Sequence, residues 1–160
     1  MSAPALLGLH HLKLPVSDLD ASIDWYGKVF DAEYSPQFDH VDSSGVRYAV
    51  IINVPGLPVP VELRWAPQAA SAIGGYDPID LAVDSVAALQ EWTRHLDALG
   101  VDHSPVITGG AGHLMVLSGP DSGYIRIAEV PAGGVADITM PDGDPEPDDL
   151  WLKPPSMQHP

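Results

Sequence analysis

The sequence predicts an α+β fold made of a repeated strand–helix–strand unit, and three observations carry that reading. The chain opens with an alternating strand followed by a capped amphipathic helix. The same grammar returns about 65 residues later. Only strand-like segments follow each of the two helices.

In the opening unit Leu12, Leu14 and Val16 alternate with His11, Lys13 and Pro15, the period of a strand with one buried face. Ser17 reads as the helix N-cap. Asp20 places negative charge in the first turn, where free amides and the helix dipole favour it. Leu19, Ile23, Tyr26 and Phe30 then recur every three or four residues and form one apolar helix face. In the second unit Ile79, Leu81 and Val83 alternate within Pro78–Val83, and Asp84 reads as the cap. Val86, Leu89, Trp92 and Leu96 make the stripe, and Gly100 stops the helix.

Arg47–Asn53 and Val59–Trp65 read as strands of the first half, His113–Leu117 and Tyr124–Val130 as strands of the second. Turn formers at Ser43-Ser44-Gly45, Pro55-Gly56, Gly109-Gly110 and Gly119–Gly123 separate them. Leu12–Leu19 aligns with Ile79–Val86, and Val61–Trp65 with Ile125–Glu129. This places the two modules at about 7–66 and 76–130 of one domain. The tail, 131–160, is acidic and rich in Pro and Gly and cannot bury enough apolar surface to fold alone. Leu150, Trp151 and Leu152 are its only docking candidates.

A length of 160 residues suits one domain. With 22 Asp and Glu against 7 Lys and Arg, the net charge of −15 repels phosphate backbones and anionic membranes, so nucleic acid and membrane partners are not expected. The absence of cysteine removes thiolate nucleophiles and thiolate metal ligands, and it fits a reducing, cytoplasmic setting. Met1–Leu9 has no basic region of the kind that starts a signal peptide, and no apolar run is long enough to span a bilayer. There is no P-loop, dinucleotide fingerprint or G-x-S-x-G elbow, and no helix follows the glycines at 109–112 to make a phosphate cradle.

The run HLKLPVSDLDASIDWYGKVF at His11–Phe30 resembles the opening of a module of the vicinal oxygen chelate superfamily, which includes glyoxalases, bleomycin-resistance proteins and extradiol dioxygenases. A histidine begins the strand, a V-x-D-L turn follows, and the helix carries an aromatic pair, Trp25-Tyr26. GPDSGYIRI at Gly119–Ile127 is similar to the family's D-P-D-G-x-x-I-E-L ending. The resemblance covers roughly Leu7 to Val130. It implies two βαβββ modules forming a curved mixed sheet with a central cleft and helices outside, and a homodimer. It also implies a small-molecule ligand and, in metal-dependent members, a divalent ion held by one residue from each of four strands. Those positions fall on His11, Glu62, Pro78 and Arg126. Proline offers a metal no lone pair and arginine is a permanent cation, so only His11 and Glu62 remain as metal ligands.

Alternation places Lys13 on the face of His11, Arg64 on that of Glu62, and Asp80 on that of Pro78. With Arg126 these residues would line a mixed-charge cleft for a small polar or anionic molecule. Lys13, Arg64, Trp65 and His113 are the expected ligand contacts, and His11, Asp80 and Arg126 the acid, base and oxyanion candidates for any chemistry. His113 is the candidate to complete a triad with His11 and Glu62. His10 is expected to point away from His11, and His40, His95, His103 and His159 carry no expected role. Two functions follow. One is bleomycin-resistance-like binding and sequestration. The other is a lyase, isomerase or dioxygenase type of enzyme with an altered metal site or metal-free acid/base chemistry. Standard glyoxalase I activity is not expected, because it uses the complete metal shell.

Overall fold

The computed structural model describes residues 3–109 and 111–138. The tail's Leu150–Leu152 and His159 lie outside them. The chain divides into two compact units, Met1–Ser71 and Ala72–Pro160. The seam falls in the interval that the sequence leaves between the two modules.

The first unit contains β1 (Leu12–Val16), α1 (Leu19–Phe30), β2 (Glu33–Tyr34), β3 (His40–Val41), β4 (Arg47–Asn53) and β5 (Val61–Trp65). Its mixed sheet runs β1-β5-β4-β2, with β3 also paired to β4. β1 is parallel to β5, and β4 is antiparallel to its neighbours. Leu14 and Val16, Val50 and Ile52, and Val61 and Leu63 are the alternate residues of three adjacent strands, and all are buried with Leu19, Tyr26, Val29 and Phe30 of α1. Each such aliphatic side chain contributes about 1.5–3 kcal/mol on burial. Burial also pushes the Tyr26 phenol well above its ordinary pKa.

The chain passes through α2 (Pro67–Ala72) into the second unit, which contains β6 (Asp80–Val83), α3 (Val86–Leu99), β7 (Ile107–Gly109), β8 (Gly112–Ser118) and β9 (Tyr124–Glu129). Its sheet runs β6-β9-β8-β7, with β6 parallel to β9 and β8 antiparallel to both its neighbours. Leu89 and Leu96 of α3 are fully buried, as are Met115, Val116 and Leu117 of β8, with Ile125 and Ile127 of β9 beside them. The buried Ser104 hydroxyl accepts from the Val116 amide and donates to the Pro105 carbonyl, which satisfies it.

The repeat is present in the hydrogen-bond register. In the first unit Lys13 of β1 lies opposite Glu62 of β5; in the second, Asp80 of β6 lies opposite Arg126 of β9. These are the residues that the sequence alignment pairs across the halves. Both helix caps stand one residue beyond the expected ones: Asp18 accepts from Ala21 N and Ser85 from Ala88 N. Gly100 ends α3 in the left-handed region at φ 67°, as its position suggests.

Candidate functional site

The first unit gathers its polar residues around Glu62. Alternation turns Val61 and Leu63 into the core under α1 and Glu62 onto the opposite face, between Lys13 of β1 and Ile51 of β4. Glu62 is only 2% exposed, and a carboxylate so buried requires positive partners. Arg64 donates through Nε to Oε1 at 2.7 Å and holds Nη2 2.7 Å from the same oxygen. His11 Nε2 and Lys13 Nζ face the other oxygen, Oε2, at 3.2 and 3.4 Å. Burial is the largest influence on Glu62 and raises its pKa. Arg64 and then Lys13 together outweigh it, and the carboxyl ends below its ordinary value.

The arrangement hides the anion and shows the cations. The side chains of Lys13 and Arg64 are 48% and 35% exposed against 2% for Glu62. Two cations on one carboxylate leave a local excess of positive charge in a chain of net charge −15.

A β-bulge adds an aromatic wall. His40 pairs with Ala49 and Val41 with Arg47, so β4 carries one extra residue there, Tyr48. Bulges re-aim side chains. The Arg64 guanidinium lies over the Tyr48 ring, 5.1 Å from its centre, and His40 meets that ring edge-on at 5.7 Å. Neither residue was expected in the site; both stand where the β3–β4 register shifts. His10 departs from expectation too: its Nδ1 is 2.8 Å from His11 Nδ1. Trp65 stands opposite Val16, on the helix-covered side by alternation and away from Glu62, and is 53% exposed.

The second unit inverts the charges. Arg126 forms an ion pair with Asp77, which lies just before β6 and was not anticipated. Asp80, the cross-strand neighbour of Arg126, is exposed, yet the protein atoms crowding its carboxyl raise its pKa. Arg126 opposes that rise and Asp77 adds to it. The Arg126 Nε is buried without a hydrogen-bond partner. His113 Nδ1 is 2.5 Å from Glu129 Oε1, which also accepts from the His113 amide at 3.0 Å. Gly112, at φ +123°, permits this approach, since a Cβ there would meet Glu129 Oε1 at 3.3 Å. The His113 bond, the largest influence on Glu129, holds its carboxyl below the ordinary value.

These residues do not fit the divalent ion of the metal-dependent relatives. Glu62 is already neutralised by the chain's own cations, and the repeat-related positions hold Pro78 and an arginine paired with Asp77. Among the described residues no group of three or more His, Asp or Glu side chains stands together in a way that could hold a metal ion. No helix among them is long and apolar enough to cross a membrane.

The sequence profile of the Glyoxalase/Bleomycin resistance protein/Dioxygenase superfamily matches residues 8–125. No curated protein matches. Solved structures share the fold. A genomically encoded fosfomycin resistance protein, FosX, from Listeria monocytogenes is 19% identical with a TM-score of 0.58, the match covering 78% of this chain and 91% of that one. TnmS3, an antibiotic binding protein from Streptomyces sp. CB03234, is 21% identical with a TM-score of 0.61, covering 79% and 98%. A lactoylglutathione lyase from Agrobacterium tumefaciens is 18% identical with a TM-score of 0.58, covering 79% and 96%. The chain, by its profile match and its twice-repeated strand register, belongs to the Glyoxalase/Bleomycin resistance protein/Dioxygenase superfamily.

Proposed function

We propose that this protein binds a small organic molecule through an anionic group seated on Lys13 and Arg64, and sequesters it without turnover. One observation carries the reading: two part-exposed cations are anchored on one buried carboxylate, which makes a fixed positive patch in a strongly acidic chain. Arg64 uses Nε and Nη2 on Glu62, which leaves its Nη1 edge for a ligand oxygen. Tyr48 stacks on the guanidinium and restricts its motion. The likeness to an antibiotic binding protein and to a fosfomycin resistance protein supports a role in holding a small molecule. A homodimer in the cytoplasm is the expected setting.

The test is titration calorimetry with a panel of small aromatic carboxylates, phosphonates and matched amines, in buffer containing a chelator. At least one anion class should bind, and Arg64→Ala should weaken it about tenfold or more, the loss of a charged hydrogen bond. Binding of the amines alone, or anion binding indifferent to Arg64→Ala and Lys13→Ala, would sink the proposal.

A second reading has its own observation. Asp80 has a raised pKa and lies opposite Arg126, the pairing of a proton carrier with a cation that metal-free acid/base chemistry requires. Under that reading turnover survives chelation and falls in Asp80→Asn.

A further inference from the structure

We infer that Lys13 takes the place of a divalent ion in the first unit, and that it is the residue that keeps a metal from Glu62 and His11. The inference does not depend on which organic molecule the site takes.

The two donors alone are well disposed toward an ion. His11 Nε2 and Glu62 Oε2 are 3.2 Å apart. Two donors of one tetrahedral ion, each about 2.0–2.2 Å from it, stand roughly 3.3–3.5 Å apart. Distance therefore does not exclude a metal here. Charge and occupancy do. Lys13 Nζ lies 3.4 Å from the same Oε2, and Arg64 places two nitrogens on Oε1. An incoming ion would meet an ammonium at the oxygen it needs, in a site whose carboxylate is already neutralised.

The register says why residue 13 decides. Lys13 is the cross-strand neighbour of Glu62 in β1 and lies two residues from His11, on the same face. A ligating side chain at 13 would stand beside both donors and supply the third ligand that a catalytic or structural divalent ion requires. With Lys13 there, the position supplies one positive charge, which with that of Arg64 matches the ion's two, and none of its coordination. The second unit has the same exchange in mirrored form: Arg126 occupies the position related to Glu62, and Asp77 neutralises it.

The experiment compares zinc and manganese binding by the native chain, purified without an affinity tag, with Glu62→Gln, with Lys13→His and with Lys13→His combined with Glu62→Gln. Titration calorimetry and elemental analysis after desalting read the binding, and circular dichroism confirms the fold. Lys13 is about half exposed, so the substitution is accommodated at the surface; Lys13→Asp is a second variant with the same expectation. The native chain should show no stoichiometric metal that depends on Glu62. Both Lys13 variants should bind one ion per chain at least about tenfold more tightly than the native chain, and Glu62→Gln should abolish the gain. One ion per native chain, lost on Glu62→Gln, would overturn the inference, because Lys13 would then be moving aside. So would folded Lys13→His and Lys13→Asp proteins that bind no better than native.

Discussion

Glu62 is the residue on which the first unit's ion pairs converge, and its removal has a defined cost. Glu62→Ala leaves Lys13 and Arg64 repelling each other beside an empty volume. No buried charge is stranded, because Arg64 and Lys13 reach solvent, so the cost is that of the lost charged hydrogen bonds and packing, about 1–2 kcal/mol, measured as a drop in the urea midpoint. The same ion pairs give a pH dependence. The folded-state pKa of Glu62 is depressed, so its stabilisation is complete above the unfolded value of about 4.5 and is lost as pH falls through the folded value. Asp80 has the opposite sign. Its folded pKa is raised, so the native state holds that proton longer, and ionisation above the folded pKa costs stability. Asp80→Asn should leave acid stability unchanged and raise stability at neutral pH by about 0.5 kcal/mol or less, since the side chain is exposed; thermal melts at the two pH values read it. The pairs His11–Lys13 and Glu62–Arg64 were legible in the sequence, because a period of two decides which residues of a strand share a face; that the two pairs meet rested on the family resemblance, and the β1–β5 register joins them. Asp77 was not, since it precedes its strand and has no parity, and Tyr48 was not, since a bulge breaks the period that would have located it.

At the scale of elements, both helices begin where two capping residue types stand side by side: Ser17-Asp18 before α1 and Asp84-Ser85 before α3. Sequence alone does not decide between neighbours that can each accept from an N2 or N3 amide; the backbone must turn extended at one of them. It does so at Asp18, at φ −140°, and at Ser85, at φ −165°. Ser85→Ala should therefore destabilise by about 1 kcal/mol, while Asp84→Ala should stay within about 0.5 kcal/mol of native. Equal losses from the two variants in chemical denaturation would place the cap wrongly. The longer strands were readable because four to seven residues carry enough alternation to show a period. β2, β3 and β7 have two, two and three residues, too few to show one. They exist because the longer strands beside them offer free backbone groups: Glu33 and Tyr34 pair with Asn53 and Ile52 of β4. The β3 pairing matters for the site, since its bulge turns Tyr48 toward Arg64.

For the whole molecule, the opposition of a local positive patch and a net charge of −15 has a kinetic consequence. A small anion approaching from bulk meets a repulsive field, because at distances beyond about 8–10 Å the total charge dominates over any one cluster. Only within a few ångströms do Lys13 and Arg64 prevail. Salt acts unequally on the two parts. It screens the long-range repulsion strongly and the short contacts at the sheet face weakly, since those cations are held against a buried carboxylate. The association rate constant of an anionic ligand should therefore rise as ionic strength goes from about 0.01 M to about 0.15 M, over which the Debye length shrinks from about 30 Å to about 8 Å. The dissociation rate constant should change less. Stopped-flow mixing that follows the ligand's own absorbance or fluorescence is a suitable reading, because Trp65 faces away from Glu62. An association rate that falls with salt would mean that the ligand is drawn by a positive field reaching far from the protein. The acidic residues distributed along the chain forbid such a field unless the anion enters through a screened approach, so that result would count against Lys13 and Arg64 as its seat.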